Sequence, residues 1–265
     1  MNLSSATKIY VGSQEVSKVV NQLTDIFTSA PGGGGSGPDL LVYESDGITQ
    51  IGDFTGQTTP VVGSSSTYDV FNPTYLKEGS AVTSISFTNI AEWGYAFGLN
   101  TADLDGSSLT SLSFQSVGTL GEFYFNDSTG MTNVDTISFN SYAGYYHCYV
   151  TDTSGLASLT TLNFSYAGYQ SGVIITDTSG LGNLTSCSFS YAGYFGLDVS
   201  VSVIDTVNVM PEAAALVLLE GIYNNISSGL TSGGTIDIKV DGDSSLSTVI
   251  SNLGGAGWTV TVTVA

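Results

Sequence analysis

Residues 151–169 have the sequence "TDTSGLASLTTLNFSYAGY", and a near copy, "TDTSGLGNLTSCSFSYAGY", follows at 176–194. The centre of both stretches is a motif of the form apolar-x-x-apolar-x-apolar. Its copies along the chain are "VTSISF" (82–87), "LTSLSF" (109–114), "VDTISF" (134–139), "LTTLNF" (159–164), "LTSCSF" (184–189) and "IDTVNV" (204–209). From 109 to 184 the copies start 25 residues apart, and a fixed period of this length indicates a repeat architecture.

Each copy has the pattern of a short β-strand with one buried face. Leu162 and Phe164 alternate with the polar residues Thr161 and Asn163, and this period of two is typical of strands. A second strand per repeat is predicted at "FYF", "CYV" and "VII". Turns and corners keep the same period, at "DSTG" (127–130), "DTSG" (152–155), "DTSG" (177–180) and the "SYAG" copies (141–144, 165–168, 190–193).

These series predict a mainly β fold, a right-handed parallel β-solenoid of 25-residue coils that stack at about 4.8 Å. Phe114, Phe139, Phe164 and Phe189 hold the same place in successive coils, so we expect them to form one interior stack. A single coil cannot bury its apolar face, so the array over 80–209 depends on stacking and needs capped ends.

The C-terminal segment 210–265 is predicted to be an α/β cap. "PEAAALVLLEGIYNNISSG" has Pro211 at the first position of a helix and Gly229 as its stop. A strand at 235–240, a short helix and a strand at 258–264 follow. Strand, helix and strand in this order predict a parallel crossover that extends the sheet.

The N-terminal segment 1–30 is predicted to be a hairpin followed by an amphipathic helix over 17–30. The helix has one apolar stripe, which consists of Val19, Val20, Leu23, Ile26 and Phe27. A glycine-rich linker at 31–39 follows it, and 40–79 is predicted to be a leading β-subdomain or N-terminal cap. The helix either docks on a partner as an anchor or folds back over the first coil.

Charge excludes two classes of partner. The net charge is −19, there is no Arg, and the chain has only four Lys. Such a surface repels phosphate, so nucleic acid and anionic membrane surfaces are not expected as partners. We expect no membrane insertion and no export signal, because no apolar run is long enough to span a bilayer and the start lacks a signal pattern.

The sequence predicts no enzyme and no cofactor. It has one His, no Arg, and only Cys148 and Cys187, which are expected as buried small hydrophobes. A glycosidase would need a carboxylate pair, and the irregular acids Glu92 and Glu122 fall in different coils. The regularly spaced Asp127, Asp152 and Asp177 are expected to cap turns, with calcium binding as the alternative.

The aromatic residues are the candidates for ligand binding. Tyr is common at the three later corners, and its apolar ring with a polar end suits contact surfaces. A glycan-binding face is predicted at Tyr145, Tyr169, Tyr194 and Trp93. The alternative is corner packing, which we expect for the first Tyr of each "YAGY" pair.

The repeat "LxxLxF" resembles leucine-rich repeat arrays, in particular the β-rich type of bacterial and phage surface proteins. The end of the chain, "GLTSGGTIDIKV…NLGGAGWTVTV", and the start, "TKIYVGSQEV" (7–16), are similar to segments of phage tail proteins. Where such repeats have an internal Asn, this chain has Ala167 and Ala192, so its coil cross-section is expected to differ.

This resemblance implies a bacteriophage virion protein, located in the virion, that is a fibre or tail-associated subunit. Its N-terminal segment would contact other virion proteins, and its solenoid would attach to host surface glycans. The alternative is a purely structural component, a capsid decoration or tail-assembly protein with only protein partners. Fibre proteins are often trimeric, and a helix over 17–30 would support a homotrimer.

Overall fold

The computed structural model of the chain describes residues 10–11, 14–15, 40–43, 50–54, 57–63, 74–90, 96–117, 121–140, 143–194, 201–226 and 233–265. The chain divides into two compact units, Met1–Gly37 and Pro38–Ala265. In the first unit, β1 (Tyr10–Val11) and β2 (Gln14–Glu15) pair antiparallel, as a hairpin in this segment requires.

The helix predicted over 17–30 lies outside the described residues. Its apolar stripe, Val19, Val20, Leu23, Ile26 and Phe27, and the linker at 31–39 lie there as well.

The second unit contains two sheets. The larger has ten strands, β3 (Leu41–Tyr43), β4 (Gln50–Asp53), β6 (Thr74–Glu78), β8 (Ala96–Leu104), β10 (Glu122–Phe125), β12 (His147–Val150), β14 (Gly172–Ile175), β16 (Val201–Met210), β17 (Thr235–Val240) and β18 (Thr259–Val264). The smaller has six, β5 (Val61–Gly63), β7 (Ser84–Ile90), β9 (Ser111–Val117), β11 (Thr136–Asn140), β13 (Thr161–Asn163) and β15 (Ser186–Ser188).

Strand order follows chain order within each sheet. The larger sheet runs β18-β17-β16-β14-β12-β10-β8-β6-β3-β4, and the smaller runs β15-β13-β11-β9-β7-β5. Neighbours pair parallel, except that β3 is antiparallel to β4 and β6. From β5 to β16 the chain therefore alternates between the sheets. The prediction of a mainly β fold with parallel sheets is confirmed.

The register reproduces the sequence period. Thr136 lies opposite Thr161, and Phe139 lies opposite Phe114. Equivalent residues therefore meet on adjacent strands, which is why the same residue types recur at 25-residue intervals. The strands predicted at "FYF", "CYV" and "VII" are present as parts of β10, β12 and β14.

A stack of parallel phenylalanine rings forms the centre of the core. Phe114 and Phe139 are 5.2 Å apart between ring centroids, and Phe139 and Phe164 are 4.9 Å apart. Phe189 continues the series at 4.9 Å from Phe164, as the sequence predicts. Phe123 of the larger sheet meets Phe114 at 4.9 Å with its ring tilted by 59°. The two sheets therefore share one apolar core.

Two helices follow the last strand of the smaller sheet. α1 (Glu212–Asn224) packs on β15, and α2 (Ser247–Gly255) connects β17 to β18. The strand–helix–strand order forms the predicted parallel crossover. Pro211 precedes α1 as its N-cap instead of lying inside its first turn. No helix in the described part of the chain is long and apolar enough to cross a membrane.

Candidate functional site

Three successive corners between the sheets bring five tyrosines together. We refer to Tyr145, Tyr166, Tyr169, Tyr191 and Tyr194 as the tyrosine corner. The corners stack through their backbones, because Gly168 donates to the carbonyl of Ala143 at 3.0 Å. Gly168 has a φ of +53°, and a Cβ there would lie 1.9 Å from the Gly172 carbonyl oxygen. The "YAGY" motif is therefore a corner, as predicted, and its glycine is required for close approach.

The rings of the tyrosine corner form two rows. Tyr166 stacks on Tyr191 with centroids 4.7 Å apart and ring planes within 9°. Tyr169 stacks on Tyr194 at 5.6 Å, and Tyr145 lies 6.1 Å from Tyr169. Tyr194 is 38% exposed, and the other four are half-buried. Thus the predicted binding residues Tyr145, Tyr169 and Tyr194 form one row, whereas Trp93 lies outside the described residues.

The backbone at two of these tyrosines is strained. Tyr166 and Tyr191 have φ values of 63° and 57°, and Ser116, which holds the same place in an earlier repeat, has 56°. This left-handed conformation costs a residue with a Cβ about 1–2 kcal/mol, and Gly, Asn or Asp adopt it more easily. Nothing in the one-dimensional pattern predicted this strain.

A second group of polar and aromatic side chains lies on the outer face of the larger sheet. We refer to Glu122, Tyr124, His147 and Tyr149 as the Glu122 cluster. Because Phe123 lies opposite Cys148, the parallel register places Glu122 beside His147 and Tyr124 beside Tyr149. The sequence carries this signal, since each pair is 25 residues apart, but single residues do not reveal it until the register of the second strand is known.

Contacts within the Glu122 cluster are close. The Tyr124 hydroxyl donates to Glu122 Oε2 at 2.8 Å, and the Tyr124 and Tyr149 rings stack at 4.6 Å. His147 Nδ1 lies 3.4 Å from Glu122 Oε1, although the geometry of that contact is not that of a hydrogen bond. Burial, with the hydrogen bond to Glu122 and its charge, raises the pKa of Tyr124 to about 12. Burial and the charge of Glu122 also raise the pKa of Tyr149, so both phenols are neutral at pH 7.

The aspartate series has a structural role. Asp152 Oδ1 accepts from its own turn at Ser154 N (3.0 Å), and Asp152 Oδ2 accepts from Ser128 N of the preceding repeat (2.8 Å). Asp127 and Asp177 repeat both contacts: Asp127 accepts from Thr129 and Thr101, and Asp177 from Ser179 and Thr153. Each carboxylate therefore caps its own turn, as predicted, and also joins two repeats, which the sequence did not reveal.

Asp205 extends this series by one repeat. It is buried, and its Oδ2 accepts from Thr178 N at 2.8 Å. Burial opposes ionisation of Asp205, but hydrogen bonds from Asn208, Thr178 and Val207 outweigh it and lower the pKa. No group of three or more His, Cys, Asp or Glu within the described ranges could hold a metal ion. The calcium alternative for Asp127, Asp152 and Asp177 stays a prediction without a structural site.

Both cysteines are free. Cys148 is buried in the core, and burial raises the pKa of its thiol. Cys187 is half-buried beneath α1, where a Cβ on Gly221 would lie 2.9 Å from the Cys187 Cβ. Burial raises the pKa of this thiol too, so both thiols are protonated at pH 7 and poor nucleophiles.

Comparisons with known proteins give no assignment. No family model, curated protein or solved structure matches this chain.

Proposed function

We propose that this chain is a non-enzymatic bacteriophage virion protein, a fibre or tail-associated subunit that presents the tyrosine corner to host surface glycans. The fold proposed for it is a right-handed parallel β-solenoid. Its support is the alternation of the chain between two parallel sheets with a 25-residue register, together with the strong preference of parallel β connections for the right-handed crossover.

The strained tyrosines carry the glycan proposal. A left-handed backbone at Tyr166 and again at Tyr191 costs stability that Asn or Gly would not cost. Strain that recurs at an equivalent site is typically retained for function. What tyrosine adds there is a ring and a hydroxyl on a rigid corner, and the adjacent row of Tyr145, Tyr169 and Tyr194 repeats both.

The chemistry of this surface suits carbohydrate. Tyrosine rings pack against the C–H faces of sugars, and their hydroxyls can donate and accept hydrogen bonds. Each corner lies on the next strand, about 4.8 Å along the sheet, so a linear glycan can contact several equivalent rings. The net charge of −19 opposes anionic ligands and so favours a neutral or cationic one.

The assignment to a virion rests on the sequence resemblance at the two ends of the chain. Residues 7–16 and the segment from Gly229 onwards are similar to phage tail proteins. The predicted anchor over 1–30 would then bind other virion proteins and leave the repeats exposed to the host.

One observation favours the purely structural alternative. β16 exposes three apolar side chains, Ile204, Val207 and Val209, with exposures of 44%, 79% and 45%. Exposed apolar residues so close together are typical of a protein–protein contact. On this alternative, partners inside the virion would cover β16, and the tyrosine corner would only pack.

Host adsorption tests the proposal directly. The full chain is expected to bind host cells or a glycan array, and Tyr169→Ala and Tyr194→Ala are each expected to weaken binding about tenfold, as loss of an aromatic contact of about 1.4 kcal/mol would. Tyr223→Ala is the matched control, because Tyr223 is 37% exposed on α1. Failure to adsorb, with co-purification on capsid or tail, would overturn glycan attachment and favour the structural alternative.

A further inference from the structure

The Glu122 cluster presents hydrogen-bond acceptors. An ionised carboxylate such as Glu122 can only accept hydrogen bonds. Tyr124 gives its hydroxyl hydrogen to Glu122, so its remaining capacity is that of an acceptor. A ligand that satisfies these oxygens must therefore supply donors.

His147 adds a further acceptor. Its Nδ1 is buried and faces the Glu122 carboxylate at 3.4 Å. A lone pair on Nδ1 would be repelled by the carboxylate, so the neutral ring carries its proton on Nδ1. Nε2 then bears the lone pair, and it is the ring nitrogen on the exposed side of a side chain that is 29% accessible.

The negative charge of the cluster has no lysine partner. Glu122 is 37% exposed, and its one ion-pair contact within the described part of the chain is with His147. Lys77 pairs with Asp103, and Lys239 lies on β17, four strands away from Glu122 in the sheet. Both phenols are neutral at pH 7, so Glu122 alone supplies the charge of the cluster. A positively charged ligand would balance it.

We propose that the Glu122 cluster binds a primary ammonium group, that of an amino sugar in the host glycan. An ammonium has three donors and no acceptor, which complements Glu122, Tyr124 and His147 Nε2. The stacked Tyr124–Tyr149 pair adds ring surface that attracts a cation. This inference rests on the proposed glycan attachment and names the sugar class at one position.

The cluster and the tyrosine corner are near enough for one ligand. Tyr145 and His147 are two residues apart, so their Cα atoms are separated by at most about 7 Å. Tyr146, between them, is 43% exposed. An oligosaccharide that packs on Tyr145 can therefore place a neighbouring amino group at Glu122.

The single histidine supplies a specific reporter, because its ring protons give the only imidazole signals of the chain. The full chain would be titrated at 150 mM salt with glucosamine, N-acetylglucosamine and glucose while these signals are followed by proton NMR. Glucosamine is expected to shift them at a concentration about tenfold lower than the two uncharged sugars, since a charge-assisted bond of about 1.4 kcal/mol is lost. Equal responses to the three sugars would overturn the proposal, and this comparison needs no variant.

Two variants separate the site from general electrostatics. Glu122→Gln keeps the shape and removes the charge, so glucosamine affinity should fall about tenfold. Glu220→Gln removes the same charge from an exposed position on α1 and should leave affinity unchanged. An equal loss in both variants would show nonspecific attraction and overturn the proposal.

Choline distinguishes the source of the cation. It carries a positive charge without N–H donors, so it is expected to bind more weakly than glucosamine. Choline binding equal to that of glucosamine would mean that ring faces select any cation, such as a choline headgroup, and would overturn the amino-sugar assignment. Loss of glucosamine binding with intact host adsorption would refute this inference alone, whereas loss of adsorption would refute the proposed function.

Discussion

At the scale of single residues, Tyr166 combines an unfavourable backbone with favourable stacking. Its φ of 63° is costly, yet its ring lies 4.7 Å from that of Tyr191, and such a pair contributes about 0.5–1.5 kcal/mol. Backbone hydrogen bonds hold the turn, since Tyr166 N donates to the Ser190 carbonyl at 2.9 Å. The two contributions are similar in size, so substitutions can separate them.

Tyr166→Asn is expected to be more stable than Tyr166→Ala by about 1 kcal/mol. Both variants lose the ring, but asparagine adopts a positive φ more easily than alanine. Denaturant unfolding measures the difference. The control is the same pair of substitutions at Tyr169, which is not among the residues with a positive φ and should show no advantage for asparagine. Equal stability of the two variants at 166 would contradict backbone strain.

The aspartate series predicts a loss of stability in acid. Burial opposes ionisation of Asp152, but hydrogen bonds from Ser154 and Ser128 outweigh it and lower the pKa from its ordinary value of 3.8. Asp205 behaves in the same way. A carboxyl with a lowered pKa in the folded state stabilises the fold above the unfolded value, and this stabilisation disappears as pH falls through the folded pKa.

Unfolding free energies from pH 6 down to pH 2.5 would test this. Wild type is expected to lose stability below about pH 4, and Asp152→Asn should be less stable at pH 6 and fall less steeply. Asp243→Asn is the control, because Asp243 is exposed and its side chain makes no hydrogen bond in the described structure. A slope of Asp152→Asn as steep as that of wild type would contradict the role of Asp152.

At the scale of elements, alternation in the sequence was sufficient to predict the strands. The pattern at 235–240 corresponds to β17, and that at 258–264 to β18 apart from Trp258. The side-chain bonds between repeats were not predictable in this way. Asp205 was missed because it lies within strand β16, after a shorter interval than the turn aspartates. The Glu122–His147 contact depends on strand register, and the strain at Tyr166 depends on a dihedral angle that no residue pattern encodes.

Helix α1 covers the last strand of the smaller sheet by close approach at one glycine. A Cβ at Gly221 would lie 2.7 Å from the Cys187 carbonyl oxygen, so a larger residue must push α1 away from β15. An uncovered strand would present free backbone groups to other chains. The covering helix is therefore as important to solubility as to stability.

Gly221→Ala is expected to destabilise the fold by about 1–3 kcal/mol, as overpacking of a well-packed contact does. Gly254→Ala in α2 is the matched control, because nothing lies within 4 Å of the added Cβ. That variant should be neutral or more stable by about 0.4–1 kcal/mol. Thermal unfolding of both variants distinguishes them, and equal stabilities would mean that α1 does not pack as closely as described.

At the scale of the whole molecule, the repeats form one core through equivalent neighbours. Phe139 meets Phe114 on one side and Phe164 on the other at nearly equal distances, 5.2 and 4.9 Å. The aspartate bonds between turns follow the same spacing. Any whole repeat therefore presents the same surface on both of its sides.

Deletion of residues 152–176 is expected to give a folded chain. Thr151 would then precede Asp177 in the same local sequence, and Phe189 would stack on Phe139. Circular dichroism and cooperative thermal unfolding would detect the fold. Deletion of 152–163 is the control, because it removes β13 and leaves β14, so the smaller sheet loses a strand without its partner. If both deletions unfold, the repeats are not interchangeable.

The constant register also has a consequence for inheritance. Gene segments that encode "TDTSGL…SYAGY" twice in succession are substrates for unequal recombination, which adds or removes whole copies. Because each copy fits between any two others, such an event lengthens or shortens the array by about 4.8 Å and adds or removes one tyrosine pair. A lineage could thereby change its reach and its number of contacts in one step, without any new amino-acid substitution.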